Sequence, residues 1–150
     1  MTVQVVPGDP RDPQATALLQ QSHALMESLF PPEDNFFLNI DDLCVPEISF
    51  FVAREGDTVL GTGALADKGA YGEVKSMFVS PEARGKGVGE ALLQQIEATS
   101  RAQGHTAMKL ETGNVLYAAH RLYERAGFTT CGPFGDYPEA NSSLFMEKAL

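Results

Sequence analysis

A chain of 150 residues, 43% hydrophobic and 21% charged, is long enough to bury one proper core and predicts a single domain over residues 1–150. Its formal net charge of −9 excludes nucleic acid as a partner, because grip on a phosphate backbone rests on clustered Lys and Arg. No apolar run reaches membrane-spanning length, so no membrane partner is expected. The start, MTVQVVPGDP, lacks the basic-then-apolar form of a signal peptide. Cys44 and Cys131 stand far apart without CxxC spacing, which fits a reducing cytoplasm. His23, His105 and His120 show no metal-ligand spacing, and no metal is expected.

Thr2–Val6 reads as a short strand with partial alternation. Asp9 to Pro13 turns into a helix with Asp12 as N-cap and Pro13 at its first position. That helix is expected to run to about Phe30, burying Ala17, Leu18, Leu25 and Leu29, until Pro31-Pro32 ends it. Residues 33–42 (EDNFFLNIDD) are acidic and aromatic, a short helix or loop. Ile48–Arg54 and Thr58–Leu65 are strand-like runs joined by Glu55-Gly56-Asp57, a hairpin signal. Lys68-Gly69-Ala70 turns the chain into a strand over Tyr71–Val79.

Ser80-Pro81 stops that strand, and Arg84-Gly85-Lys86-Gly87-Val88-Gly89 follows. Val88, Ala91, Leu92, Gln95, Ile96 and Thr99 then recur on one face at helical spacing. A strand, a glycine loop and a helix suit a phosphate: the glycines let N–H groups approach an anion, and the first helical turn adds orphan donors and a positive dipole end. A P-loop would need Ser or Thr after Lys86, where Gly87 stands. A dinucleotide fingerprint counted from Gly85 meets Glu90 at its third glycine, although Glu111 could mimic the ribose-binding acid. A tight strand–helix connection with spare glycines is the bland alternative.

Downstream, Thr106–Glu111 reads as a strand and Ala118–Ala126 as a helix. The span 73–111 is then a βαβ unit with parallel strands and a right-handed crossover. Phe128–Cys131 and Leu144–Glu147 are expected final strands, separated by a turn-rich loop at Gly132–Pro138.

Arg84-x-x-Gly87-x-Gly89 resembles the Gln/Arg-x-x-Gly-x-Gly/Ala pyrophosphate loop of the GNAT superfamily of acyl-CoA N-acyltransferases. Leu122-Tyr123-Glu124-Arg125-Ala126-Gly127-Phe128 is similar to the Leu-Tyr-x-x-x-Gly-Phe signature of the same superfamily, with Ala119 where alanine is expected. Most of the chain is covered, and the tail resembles a bacterial-type subgroup. The resemblance implies an α/β (α+β) GNAT fold: a single mixed, mostly antiparallel twisted sheet with a central parallel βαβ unit and helices on both faces. It implies acetyl-CoA as cosubstrate, held by Arg84, Gly85, Lys86, Gly87, Val88 and Gly89, with Asn114 and Arg125 nearby. A bulge in the first strand of the unit would pry the two strands into a V, where Met77, Phe78 and Val79 meet the pantetheine arm. One departure stands out: the asparagine that many relatives carry seven residues before the helix tyrosine is Leu116 here, and Asn114 lies two residues earlier.

The resemblance further implies an N-acetyltransferase working by direct attack in a ternary complex. Glu73 falls where many members carry a catalytic carboxylate and would take the proton of a primary amine, directly or through water; its bland role is an ion pair with Lys75. A backbone N–H near Phe78 or Val79 would stabilise the oxyanion, and Tyr123 would protonate the departing thiolate. Tyr71, Tyr117 and Tyr137 are weaker candidates for that acid. In this superfamily residues 33–42 form one wall of the acceptor site, and Glu33, Asp34, Asp41, Asp42, Asp136 and Glu139 flank it, which suits a cationic small-molecule or peptide amine. A homodimer is compatible with this reading. The rival expectation from another class is an acyl-CoA-binding sensor that holds the cofactor without turnover.

Overall fold

A computed structural model describes residues 2–150. Within them seven strands form one sheet in the order β1-β2-β3-β4-β5-β7-β6. The strands are β1 (Gln4–Pro7), β2 (Ile48–Glu55), β3 (Thr58–Asp67), β4 (Tyr71–Val79), β5 (Ala107–Gly113), β6 (Thr129–Cys131) and β7 (Ser143–Ala149). Every neighbouring pair is antiparallel except β4 and β5, which run parallel. The helices are α1 (Pro13–Leu29), α2 (Val88–Ala102) and α3 (Tyr117–Arg125). The expected mixed sheet around a parallel βαβ unit is therefore present.

Alternation along the strands sends successive side chains to opposite faces, and each face is covered. Phe50, Val52 and Ala64 pack with Ala15 and Leu19 of α1. Phe51, Ala53, Leu65 and Val74 pack with Val88, Leu92 and Ile96 of α2 and with Tyr123 of α3. Leu92 and Ile96 are fully buried, each worth about 1.5–3 kcal/mol in transfer terms.

Asp12 caps α1 as expected, its side chain accepting the Gln14 N–H at 3.1 Å. The buried face of that helix differs from the expected one. Ala15, Leu18 and Leu19 are buried, whereas Ala17 is exposed and Leu25 and Leu29 remain 36% and 44% exposed. Ala17 turns away from the stripe formed by residues 15, 18, 19, 22 and 26, whereas Leu25 and Leu29 lie on or beside that stripe in the second half of the helix, where no residue is buried.

The β4–β5 pairing decides where a ligand can enter. It covers only Tyr71–Glu73 against Ala107–Lys109. Beyond Glu73 the two strands part, and β5 continues with β7 alone. On its other edge β4 carries a bulge: Thr62 pairs with Phe78 and Ala64 with Lys75, leaving Ser76 and Met77 opposite the single residue Gly63. Ser76 sits at φ 56°, in the left-handed region unusual for a residue with a Cβ. Thr62 Oγ1 donates to the Ser76 carbonyl at 2.8 Å and fixes that kink. The bulge and the V expected from sequence are both observed.

Candidate active site

The glycine loop follows β4 and leads into α2. Gly85 and Gly87 sit at φ 80° and 78°, values that a side chain would strain. None of the N–H groups from Gly85 to Gly89 donates to a main-chain carbonyl among the described residues; the first helical amide bond is Ala91 to Gly87, at 3.0 Å. Gly89 is close-packed, since a Cβ there would lie 3.0 Å from Leu122. Arg84 and Lys86 are exposed and make no ion pair among the described residues. A row of open amides beside two uncommitted cations fits a diphosphate such as that of coenzyme A.

A narrow cleft of about 110 Å³ lies beside the gap between the strands. Met77 and Ser76 of β4, Glu111 of β5 and Tyr123 of α3 line it, together with Met26 of α1 and its C-cap residue Phe30. Phe78 and Val79 pair with Thr62 and Gly61 of β3, and the β4 edge from Val74 onward has no strand on its β5 side.

Tyr123 is 6% exposed and lies edge-on to Phe128, with ring centroids 5.9 Å apart. Its hydroxyl has no hydrogen-bond partner among the described residues, yet it is not a sealed atom. A merely structural buried phenol would be paired. Burial first, then the charge of Glu111, pushes this phenol well above its ordinary pKa, so it stays protonated.

Glu73 is on the α1 face, because its neighbour Val74 points into the α2 core. It is 4% exposed and lines a second, wider cleft of about 670 Å³. Its Oε2 accepts from the Tyr137 hydroxyl, and the Lys75 ammonium stands 3.6 Å away. Lys75 in turn donates to Tyr137 Oη at 2.8 Å and to the Phe36 carbonyl at 3.1 Å. The ion pair with Lys75 is therefore real, but it is buried rather than superficial. Glu73 Oε1 has no partner among the described residues and is not sealed, which leaves lone pairs facing the cleft. Glu73 and Tyr123 line adjacent clefts, which share Phe36, Phe37 and Lys75 as a common wall.

Two expected residues are engaged elsewhere. Asn114 donates through its side chain to the Asn141 carbonyl and through its N–H to the Ser142 carbonyl, both at 2.9 Å, tying β5 to the loop before β7. Leu116, in the position where relatives carry asparagine, lines the narrow cleft instead. Arg125 pairs with Glu90 at 2.9 Å on the exposed α2–α3 surface. Three residues gain importance. Tyr137 and Lys75 complete the Glu73 cluster, and burial pushes the Tyr137 phenol up, with the Glu73 carboxylate adding to it. Glu111 accepts from Ser143 at 2.8 Å, and burial holds its carboxyl above the usual range. Alternation along β5 could have found it, since Lys109 pairs in register with Glu73 and Glu111 follows on the same face.

Among the described residues, no group of three or more His, Cys, Asp or Glu side chains could hold a metal. Among the described residues, no helix is long and apolar enough to cross a membrane.

Known proteins resemble the chain in sequence and in fold. The chain is 47% identical to an IAA acetyltransferase of Azospirillum brasilense over 137 residues, covering 89% of this chain and 88% of that protein. It is 39% identical to the otherwise uncharacterised N-acetyltransferase YsnE of Bacillus subtilis, with 91% and 93% covered. A solved structure from Klebsiella pneumoniae, described as an acyl-CoA N-acyltransferase, superposes with a TM-score of 0.82 at 29% identity, covering 99% and 97% of the two chains. The PaiA N-acetyltransferase of Thermoplasma acidophilum, solved with coenzyme A, shares the fold over 100% of both chains at a TM-score of 0.76 and 16% identity. The sequence profile of the acetyltransferase (GNAT) family matches residues 16–128, and with a glycine loop, a split βαβ unit and relatives of this closeness the chain belongs to that family.

Proposed function

We propose that the protein transfers an acetyl group from acetyl-CoA to a primary amine by direct attack. One observation carries the reading: a loop of free amides follows the strand that carries a buried carboxylate, and that strand parts from β5 beyond Glu73. The acetyltransferase names of the relatives at 47% and 39% identity support acetyl as the group moved.

Acetyl-CoA supplies a thioester carbonyl when bound. The chain's own groups then have distinct tasks. The Gly85–Gly89 amides hold the diphosphate, with Arg84 and Lys86 adding charge. Glu73 Oε1 takes a proton from the ammonium, directly or through water, which frees the nitrogen lone pair. The unpaired edge of β4 near Phe78 and Val79 offers an N–H to the carbonyl oxygen as negative charge develops on it. The C–N bond forms, the C–S bond breaks, and Tyr123 gives its proton to the leaving sulphur; the second proton leaves the acylated nitrogen and restores the Tyr123 phenol through solvent, and Glu73 returns the first to solvent. Products are an N-acetyl amide and free coenzyme A.

The test is thiol release from acetyl-CoA in the presence of a panel of primary amines. Amine-dependent release is the expected result. Thermal stabilisation by coenzyme A with no release from any amine would identify a non-catalytic acyl-CoA-binding module instead.

A further inference from the structure

The wider cleft beside Glu73 has a composition that narrows the acceptor, and the inference rests on the acetyltransferase reading above. Its inner walls are aromatic. Phe36 meets Tyr137 edge-on at 5.5 Å, and Tyr71 meets Phe134 edge-on at 5.7 Å. Its rim is acidic: Asp42, Glu47, Asp67 and Asp136 line it, and Lys68 is the one rim cation among the described residues. Asp136 and Glu47 make no ion pair among those residues. The hydrogen bond from His105 (2.8 Å) holds the Asp67 carboxyl below the usual range.

The lysine at the floor is already committed. Lys75 is bound by Tyr137, by the Phe36 carbonyl and by Glu73, and its ammonium also lies 5.4 Å from the Tyr137 ring centre. It has little to offer an acceptor's carboxylate. A carboxylate in this cleft would face acids on the rim and a neutralised lysine below, and juxtaposed like charges are a strong bar to the wrong partner. An ammonium would be drawn inward, and an aromatic ring behind it would find edges and faces to pack on.

We infer that the acceptor is an arylalkylamine, a primary amine on a short arm bearing an aromatic ring and lacking a carboxylate beside the nitrogen. The ring occupies the space between Phe36, Tyr71 and Tyr137, and the nitrogen reaches Glu73 Oε1. A polyamine would satisfy the rim acids but leave the aromatic walls unused. An α-amino acid would satisfy the walls but bring its carboxylate among the acids.

Phenethylamine, phenylalanine, spermidine and a short peptide with a free N-terminus test this with two readouts. Calorimetry on the protein saturated with coenzyme A measures amine binding without chemistry, and thiol release measures turnover. Phenethylamine is expected to bind at least about tenfold more tightly than each of the other three and to lead in kcat/KM. The Asp136→Asn/Glu47→Gln double variant, altered only at the exposed rim, should narrow the gap between phenethylamine and phenylalanine. Equal or better binding by phenylalanine, spermidine or the peptide overturns the inference. So does an unchanged ratio in the rim variant, or no binding of phenethylamine. The predicted binding order without thiol release from any amine would support this acceptor class while removing the acetyltransferase reading.

Discussion

Oε2 of Glu73 accepts from the Tyr137 hydroxyl while the Lys75 ammonium stands 3.6 Å off, so one oxygen is occupied and Oε1 is left without a partner among the described residues. Glu73→Gln keeps the shape and removes the proton acceptor. We expect kcat/KM to fall by about 10²–10⁴-fold at pH 7 and the gap to narrow as pH approaches about 10, where the amine loses its proton unaided. Parallel pH profiles at wild-type rates would remove Glu73 from the reaction. Tyr123 makes a second test at this scale, because its hydroxyl is buried yet unpaired at the cleft. Tyr123→Phe should lower kcat by about 100-fold and leave coenzyme A affinity within about twofold, since the phenol acts late and on sulphur. An unchanged kcat would make it a core aromatic only. Both residues are singled out in the sequence through the family resemblance, Glu73 by its distance to the glycine loop and Tyr123 by the Leu-Tyr-x-x-x-Gly-Phe run. Tyr137 was legible only as a weaker candidate: it reaches Glu73 from 64 positions away, on a turn-rich loop whose path no periodicity specifies.

At the scale of elements, two packing devices fasten the helices to the sheet. β4 lies so close to the end of α2 that a Cβ on Gly72 would stand 2.5 Å from Ser100 Oγ, 2.6 Å from Leu65 Cδ1 and 2.9 Å from His105 Nδ1. Ser100, His105 and Asp67 form a hydrogen-bonded row like that of a hydrolase, but Ser100 is fully buried and serves as a strut. Gly72→Ala should cost about 1–3 kcal/mol in chemical denaturation, and unaltered stability would contradict the close packing. The second device is Lys148 on β7, which donates to Glu97 of α2 at 2.5 Å and to the last-turn carbonyl of Ala126 at 2.7 Å. Its hydrogen bond depresses the Glu97 pKa, so the stabilisation is present above the ordinary carboxylate value and lost as pH falls through the lower, folded one. Lys148→Met should therefore cost about 1–2 kcal/mol at pH 7 and less near pH 3. A cost independent of pH would leave only the carbonyl bond. The strands and helices were readable from their periods and breakers. The face of α1 was not, because apolar residues sit on more than one side of it, and the choice depends on where the sheet lies. The bulge in β4 was expected only from family resemblance, and its place at Ser76 was not expected, since a serine at positive φ leaves no mark in a sequence.

The whole molecule carries a net charge of −9 and yet is assigned a polyanionic ligand. Geometry resolves this: Arg84, Lys86 and a row of open amides stand at the loop, while charges beyond about 8 Å are screened at physiological salt. The parallel pairing of β4 with β5 ends after Glu73, so the crossover that begins with the loop enters β5 where it is paired at Ala107–Lys109, and the strands part beyond that point. Loop, gap and carboxylate thus all belong to the one β4–α2–β5 unit, and the wider cleft is completed by the 36–48 and 135–138 segments. A crystal structure of the acetyl-CoA complex tests this most directly. It should place the diphosphate within hydrogen-bonding distance of the Gly85–Gly89 amides and the thioester where the clefts of Glu73 and Tyr123 meet. A diphosphate bound elsewhere, or a thioester out of reach of both side chains, would contradict it.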